Sequence, residues 1–335
     1  MSQHSILVPP TNLFARGVLL ICTTSVGLAW LPMFGSIFSS WHAVLDLFCH
    51  TSWHCFFALT ATGVVIVLGK VFNTSMAGRW NVRLGLWVIP WTYFLFVVQP
   101  WTSLPFAKND PSANGLKIYS WNFLVSNNEL EDVAHHVRKH NADVVVLIEL
   151  GEHQVDALKK FANEYACHAW MADGVAGVAV LSKVPNTTFE ILDLAGQGMP
   201  AIEANVPAND KCKAMRLLAV HTRSPRLHPM RTNQRDRQLI AVGEWAASKA
   251  GASYAVVGDL NITPWSRPFS QLLRSGKLRD SRWYRGYYGS WPAPLRFFGI
   301  PIDHFLASDQ CEVLYRDVDP HFGLSDHRPI VAIVK

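Results

Sequence analysis

Apolar and polar positions divide the chain in two near residue 105. Before that point, three stretches hold no Asp, Glu, Lys or Arg: Gly17 to Trp41, Leu47 to Gly69 and Leu84 to Ala107. Each exceeds the roughly 20 residues a helix needs to cross a bilayer. The pattern predicts three transmembrane helices, at about 17–37, 49–69 and 84–104. A cleaved signal peptide accounts for the first stretch alone, not for three.

After a turn-rich linker over 105–115 (PFAKNDPSANG), the period changes. Apolar runs of strand length recur between Gly, Pro and Asn: LKIYSWN, ADVVVLIE, GVAVLSK, TTFEILDL, MPAIEANV, AMRLLAVHT, SYAVVGDLN, IPIDHFLAS, CEVLYRDV and HRPIVAIV. Helical spacing appears in NELEDVAHHVRKH, where Leu130, Val133, Ala134 and Val137 share a face, in HQVDALKKFANEY, and in the long segment from Arg231 to Ala250. Strands dominate and the helices fall in two groups. That predicts two sheets packed face to face with helices outside, a four-layer α-β-β-α sandwich of the α/β class. The expected organisation is a three-helix anchor over 1–104, the linker, and a globular domain over 116–335.

Composition sharpens this division. Half the residues are hydrophobic and only 16% are charged, well under the quarter or so of an average soluble protein. Of 30 Lys and Arg and 25 Asp and Glu, four bases (Arg16, Lys70, Arg79, Arg83) and one acid (Asp46) precede residue 108, so the remainder nets +2. A near-neutral globular part lacks the basic excess of a dedicated duplex-DNA binder. Arg16 precedes the first helix, and Lys70, Arg79 and Arg83 lie between the second and third. The positive-inside rule then puts the N-terminus in the cytoplasm and, after three crossings, the globular domain outside it. The six cysteines show no metal spacing, and Cys167, Cys212 and Cys311 permit at most one disulfide in the domain.

Polar residues recur where these strands end or begin: Asn122, Glu149, His221, Asp259 with Asn261, Asp303 with His304, and Asp326 with His327. Singly, each has an ordinary explanation: a turn amide, an acid at a helix N-terminus, an Asx-turn. Together, groups at one rim of a sandwich can aim at one point. Here the sequence resembles the endonuclease/exonuclease/phosphatase superfamily, also called deoxyribonuclease I-like. The resemblance rests on Asn122, Glu149, His221, GDLN at Gly258–Asn261, IDH at Ile302–His304 and SDHRPI at Ser325–Ile330, in family order. The preceding spans resemble the membrane-anchored teicoplanin-resistance type within it.

The resemblance implies a metal-dependent phosphoric ester hydrolase. Such chemistry needs a cation to offset charge on the phosphoryl oxygens and a base to activate water. Glu149 is the leading ligand, with Asn122 and Asp326 completing the shell of a Mg2+ ion, or of Mn2+ in its place. By resemblance His327 is the general base and Asp303 its orienting partner. Asp259 and Asn261 position the water and a phosphoryl oxygen, with Asp259 an alternative proton acceptor. His221, if protonated, stabilises charge on a non-bridging oxygen. His304 has no shared role and is expected to pack or cap. Arg223 and Arg231, in an Arg-rich segment after His221, are candidate phosphate contacts; a solvated face is the competing account. Trp291, Phe297 and Phe298 form either an aromatic lip beside the cleft or buried packing.

The expected function is a membrane-tethered phosphohydrolase or phosphodiesterase outside the cytoplasmic membrane, with an isoprenyl pyrophosphate or another envelope phospholipid as its substrate. The alternatives are a surface nuclease acting on nucleic acid and a catalytically inactive binding module. The bilayer is the expected partner of the three helices, and no sequence feature demands an obligatory protein partner.

Overall fold

The computed structural model describes residues 13–39, 43–72, 77–98, 109–226, 228–295 and 298–335. The helices and strands run in the order α1 (Leu13–Phe38), α2 (Ala43–Cys49), α3 (Ser52–Phe72), α4 (Ala77–Val98), β1 (Leu116–Asn122), α5 (Leu130–His140), β2 (Val144–Ile148), α6 (Val155–Ala162), β3 (Cys167–Met171), β4 (Val178–Ser182), β5 (Thr188–Leu192), β6 (Ala201–Val206), β7 (Met215–Val220), α7 (Pro229–Ser248), β8 (Ser253–Asp259), α8 (Arg267–Ser275), β9 (Arg279–Asp280), β10 (Asp303–Ala307), β11 (Val313–Val318) and β12 (Ile330–Val334).

The strands form two six-stranded mixed sheets, ordered β11-β12-β1-β2-β4-β3 and β5-β6-β7-β8-β10-β9. The β1–β2 and β7–β8 pairs are parallel, and the other pairs are antiparallel. Val144, Val146, Ile148, Leu217, Ala219, Val257 and Ile330 fill the space between the sheets. A second cluster seals α5 and α6 onto the first sheet through Val133, Val137, Leu158 and Phe161. A third seals α7 and α8 onto the second sheet through Leu239, Val242, Phe269 and Leu272. The result is the four-layer sandwich. Strands covered on both faces read as unbroken apolar runs, and β2, β4 and β12 are buried at every position.

The N-terminal helices pack on one another through Leu19, Val26, Leu59, Ile66, Trp80 and Phe94. Three are long and apolar enough to cross a membrane: Arg16–Phe38, Ser52–Phe72 and Arg79–Val98. Their bounds differ from those set by charge-free runs. The segment before the second span folds separately as α2, and His50 and Thr51 form the turn between them. α4 starts seven residues before Leu84, because Arg79 lies exposed while Arg83 donates to the Leu19 carbonyl and to Thr23 Oγ1. Its guanidinium thus reaches polar partners while its stem lies on the bundle. Residues 99–104 of the expected third span and 105–108 of the linker lie outside the described residues.

The helical bundle and the sandwich are docked. The Arg267 amide donates to Ser39 Oγ (3.0 Å), His50 Nδ1 meets Thr263 Oγ1 (2.8 Å), and Trp53 stacks on Tyr287 with centroids 4.1 Å apart. Arg235 of α7, fully buried, donates to Asp46 Oδ2 of α2 at 2.8 Å. All six cysteines are free thiols.

Candidate active site

Strand register assembles the site. In the antiparallel β8–β10 pair, Asp259 stands directly across from Asp303. In the parallel β1–β2 pair Asn122 stands beside Ile148, so Glu149 leaves its strand at the same rim. The β7–β8 pair brings His221, one residue past β7, to that end as well. Gly258 has φ +136° and lies so near the Val220 carbonyl that a Cβ would collide with it. Only glycine lets β8 deliver Asp259 there.

Direct contacts link eight of the expected residues. Asn122 Nδ2 donates to Glu149 Oε1 (3.0 Å) and to Asp259 Oδ2 (3.1 Å). Asp259 Oδ2 lies 3.6 Å from His221 Nε2 and 3.7 Å from His327 Nε2. His327 Nδ1 meets Asp303 Oδ2 at 2.9 Å. Asn261 Nδ2 lies 3.2 Å from His221 Nε2 and donates to the Thr222 carbonyl at 2.8 Å. Asp326 Oδ1 lies 4.0 Å from His327 Nε2. Glu149 and Asn261 hold left-handed backbone, φ +66° and +48°, which costs a non-glycine residue about 1–2 kcal/mol. Strain of this kind clusters where the surrounding fold imposes a functional geometry.

The electrostatics follow from burial. Burial, with Asp303 beside it, pushes the Asp259 carboxyl up to about 8. His327 is raised to about 10 against its own burial, because Asp303 and Asp259 favour the imidazolium. Burial also opposes the charged form of Asp303, yet the charge and hydrogen bond of His327 hold that carboxyl below its ordinary value. Burial lowers His221, which favours its neutral form. Asp259, Asp303 and His327 bring ligand atoms within 4.8 Å of one another. The His327–Asp303 hydrogen bond accounts for that closeness as a proton-holding pair.

For a dication the donors at this rim are oxygens. Glu149 Oε2 accepts the Val125 amide at 3.3 Å, leaving lone pairs on both carboxylate oxygens. Asp326 Oδ1 is buried without a hydrogen-bond partner among the described residues. Carboxylate donors of this kind fit a hard ion such as Mg2+. Asn122 offers Glu149 its NH2 group and turns its oxygen to the Leu124 amide (3.2 Å).

Four neighbours support the site, of which three, Ser325, Ser290 and Trp121, were given no role by the sequence, while Trp291 was read as an aromatic lip or buried packing. Ser325 Oγ accepts the His327 amide (2.9 Å) and donates to the Asn122 carbonyl (2.6 Å), locking the last loop to β1. Ser290 Oγ accepts the Asp303 amide (3.2 Å). The Trp121 indole donates to the His327 carbonyl (2.9 Å), and the Trp291 indole to Asp326 Oδ2 (2.9 Å). The SDH motif is the sequence signal for Ser325, and the aromatic segment before Asp303 is the one for Trp291. His304 is buried, bonded to Arg282 (2.9 Å) and the Ile262 carbonyl (2.7 Å), and belongs to the packing. Arg223 reaches the Gln197 carbonyl at 3.5 Å. Arg231 is half-buried on α7, and no contact among the described residues ties it to the His221 cluster. Phe298 is exposed and Trp291 partly so, while Phe297 lies outside the described residues.

A family model described as Endonuclease/Exonuclease/phosphatase family matches residues 119–327. No curated protein matches the chain significantly. Among solved structures, the chain is similar to a humanised D. rerio TDP2 at 19% identity and TM-score 0.53, over 67% of this chain and all of that one. It is similar to an endonuclease/exonuclease/phosphatase from Beutenbergia cavernae at 18% identity and TM-score 0.51, over 67% of this chain and 72% of that one. A mannosyl-6-phosphatase of Bacteroides thetaiotaomicron is similar at 15% identity and TM-score 0.51, over 66% of this chain and all of that one. Identities this low speak for a shared fold.

Proposed function

The chain belongs to the endonuclease/exonuclease/phosphatase family, whose members are metal-dependent phosphoester hydrolases, and from that premise we propose that it cleaves the phosphate ester or pyrophosphate of a membrane lipid. One observation carries this choice of substrate. The loop that bonds Asp326 through Trp291 is the loop that rests on the start of α3. Its Phe298 carbonyl meets His54 Nε2 at 3.0 Å, and its Tyr287 stacks on Trp53. On the far side of the site, Arg235 ties the Asn261 carbonyl (3.3 Å) to Asp46. The rim of the site is therefore built onto the ends of the apolar helices. If those helices cross a bilayer, the cleft lies at its surface, and a phosphate on a lipid reaches it without leaving the membrane. An isoprenyl pyrophosphate or another envelope phospholipid has the required form.

In this proposal Glu149 and Asp326 hold a Mg2+ ion, with Mn2+ able to replace it, and Asn122 aligns Glu149. When bound, the ion offsets negative charge on the phosphoryl oxygens. Asp259 takes the proton from the attacking water, since its buried carboxyl has a basicity suited to that task near neutral pH. His327, held as imidazolium by Asp303, stabilises the charge that develops on phosphorus-bound oxygen. This takes up the sequence-based alternative in which Asp259, not His327, accepts the proton. His221 and Asn261 position a non-bridging oxygen. Arg223, whose Nε is buried without a hydrogen-bond partner among the described residues, clamps the phosphate. Arg231 is the second candidate for that contact.

The test is hydrolysis by the detergent-solubilised protein of polyprenyl pyrophosphate, phospholipid and plasmid DNA, with and without Mg2+. Mg2+-dependent phosphate release from lipid is expected. Nicked plasmid with lipid untouched makes the protein a nuclease, and silence on all three makes it a binding module.

A further inference from the structure

α5 turns a stripe of ionisable side chains toward the loop between β11 and β12. Asp132, His136 and His140 are spaced four residues apart, so they lie along one face of the helix. The loop answers with Asp319 and His321. His140 Nε2 meets Asp319 Oδ2 at 2.6 Å. Toward the N-terminal end of α5, His321 Nε2 lies 3.0 Å from Asp132 Oδ2 and His136 Nε2 lies 3.5 Å from Asp132 Oδ1.

The His136 and His321 rings lie face to face, with centroids 3.2 Å apart and planes 16° from parallel. As packing this is poor, because aromatic rings prefer offset or edge contacts at about 4.5–7 Å. As a donor set it needs the two rings to splay so that their in-plane lone pairs converge, and the atoms for it are at hand, since two ring nitrogens and a carboxylate oxygen gather within 4.8 Å of one another. Side-chain exposure is 12% for His136, 32% for Asp132 and 34% for His321, so one side of the triad is open to solvent. The loop is shaped to admit the carboxylate. Gly323 has φ +50°, and a Cβ there would come within 2.6 Å of Asp132 Oδ2.

We propose that Asp132, His136 and His321 form a second metal site, apart from the phosphoester site, that takes a borderline transition dication such as Zn2+ with solvent as its fourth ligand. Two imidazoles and a carboxylate suit such an ion, whereas Mg2+ demands oxygen ligands. The ion pins the β11–β12 loop to α5. That loop carries Asp326 and His327 a few residues after His321. Trp121 sits between the two sites, with its ring edge-on to His321 (6.3 Å) and its indole N–H on the His327 carbonyl (2.9 Å). The ion is thus a clamp on the segment that delivers two residues of the proposed active site. Its consequence for turnover rests on the phosphohydrolase reading; its binding does not.

The experiment uses the full-length protein in detergent, without a histidine tag, stripped by chelator and kept in excess Mg2+. Co2+ is titrated by visible absorption and then displaced by Zn2+, and Tm is followed with and without Zn2+. The expected result is one equivalent of Co2+ with d–d bands of low coordination number, no thiolate charge-transfer band, and a higher Tm with Zn2+. His321→Ala, on the half-exposed loop, lowers Zn2+ affinity at least about 100-fold, since losing even an outer partner of a ligand costs 10–100-fold. Asp132→Asn weakens it as well and serves as the second variant. Glu149→Gln keeps the Zn2+ response while losing hydrolysis, which separates the two sites. If no substrate is hydrolysed, the Zn2+ response still stands. Wild-type affinity in both His321→Ala and Asp132→Asn, a thiolate signature, or no tight equivalent in excess Mg2+ overturns the proposal.

Discussion

Asp259 and His327 face each other at 3.7 Å, and burial of the one with the carboxylates around the other decides which of them takes a proton. With Asp259 pushed up to about 8 and His327 to about 10, a rising pH frees the carboxylate first and leaves the imidazolium in place. A bound dication moves both values down, because it favours the carboxylate of Asp259 and disfavours the imidazolium of His327. The expected pH–rate profile is a bell, with its acid limb set by Asp259 and its alkaline limb by His327. Asp259→Asn should lower kcat/KM by about 100- to 10,000-fold and His327→Gln should remove the alkaline limb. An unaltered acid limb in Asp259→Asn would return the base role to His327. His304 gives a stability counterpart. Burial, then the Arg282 charge, lowers it to about 3, so the unfolded chain takes up its proton first, near pH 6.5. Its stabilising share is complete above pH 6.5 and falls as pH drops toward 3, by about 1.4 kcal/mol per pH unit. Denaturation of His304→Asn between pH 6.5 and 5 should show a flatter profile than the wild type. At this scale the sequence showed which residues gather, but not their protonation. Burial is created by the neighbours, and no motif records it.

Among the elements, the short helix α2 changes the picture most. It supplies Asp46, the one acid before residue 108, and puts it on Arg235 of α7, 189 positions away. Arg235 also donates to Asp236 Oδ1 (2.6 Å) and to the Asn261 carbonyl. Asp236 still balances the Arg235 charge when Asp46 is removed, so Asp46→Ala should destabilise the detergent-solubilised protein by about 1.5–3 kcal/mol, the share of one charged hydrogen bond. Asp46→Leu combined with Arg235→Met should recover most of the lost Tm, and additive losses would show that the pair is uncoupled. α2 was hidden because it has only seven residues, too few to show a helical period, and lies where one apolar stretch gives way to the next. β3 and α8 were missed for related reasons. β3 is a partly exposed edge strand without clean alternation, and α8 has only nine residues, opening at Ser266 with Pro268 in its first turn. The longer periodic elements were legible, since a face that must be buried leaves its period in the sequence.

At the scale of the whole molecule, the helix ends set a polarity. Ser39, the start of α3 and Val97 of α4 lie against the sandwich, which puts Arg16, Lys70, Arg79 and Arg83 toward the opposite end of the bundle. All four bases therefore share the end away from the domain, and the positive-inside rule then makes an extracytoplasmic domain the orientation to test. A C-terminal tag should be cut by protease added to intact cells. Protection until lysis would reverse the topology.

The sequence by itself determined the division into apolar helices and a globular part, the two-sheet layering and the identities of the residues at the strand ends. These are local matters of period, length and turn chemistry, carried by neighbouring residues. Tertiary structure alone decided that burial raises Asp259 and that its carboxylate neighbours raise His327, that Asp46 braces the Asn261 loop, and that Asp132 and His136 meet His321. Each of these depends on side chains far apart in the chain coming together where water is excluded, and charge and proton affinity answer to that surrounding rather than to the order of residues.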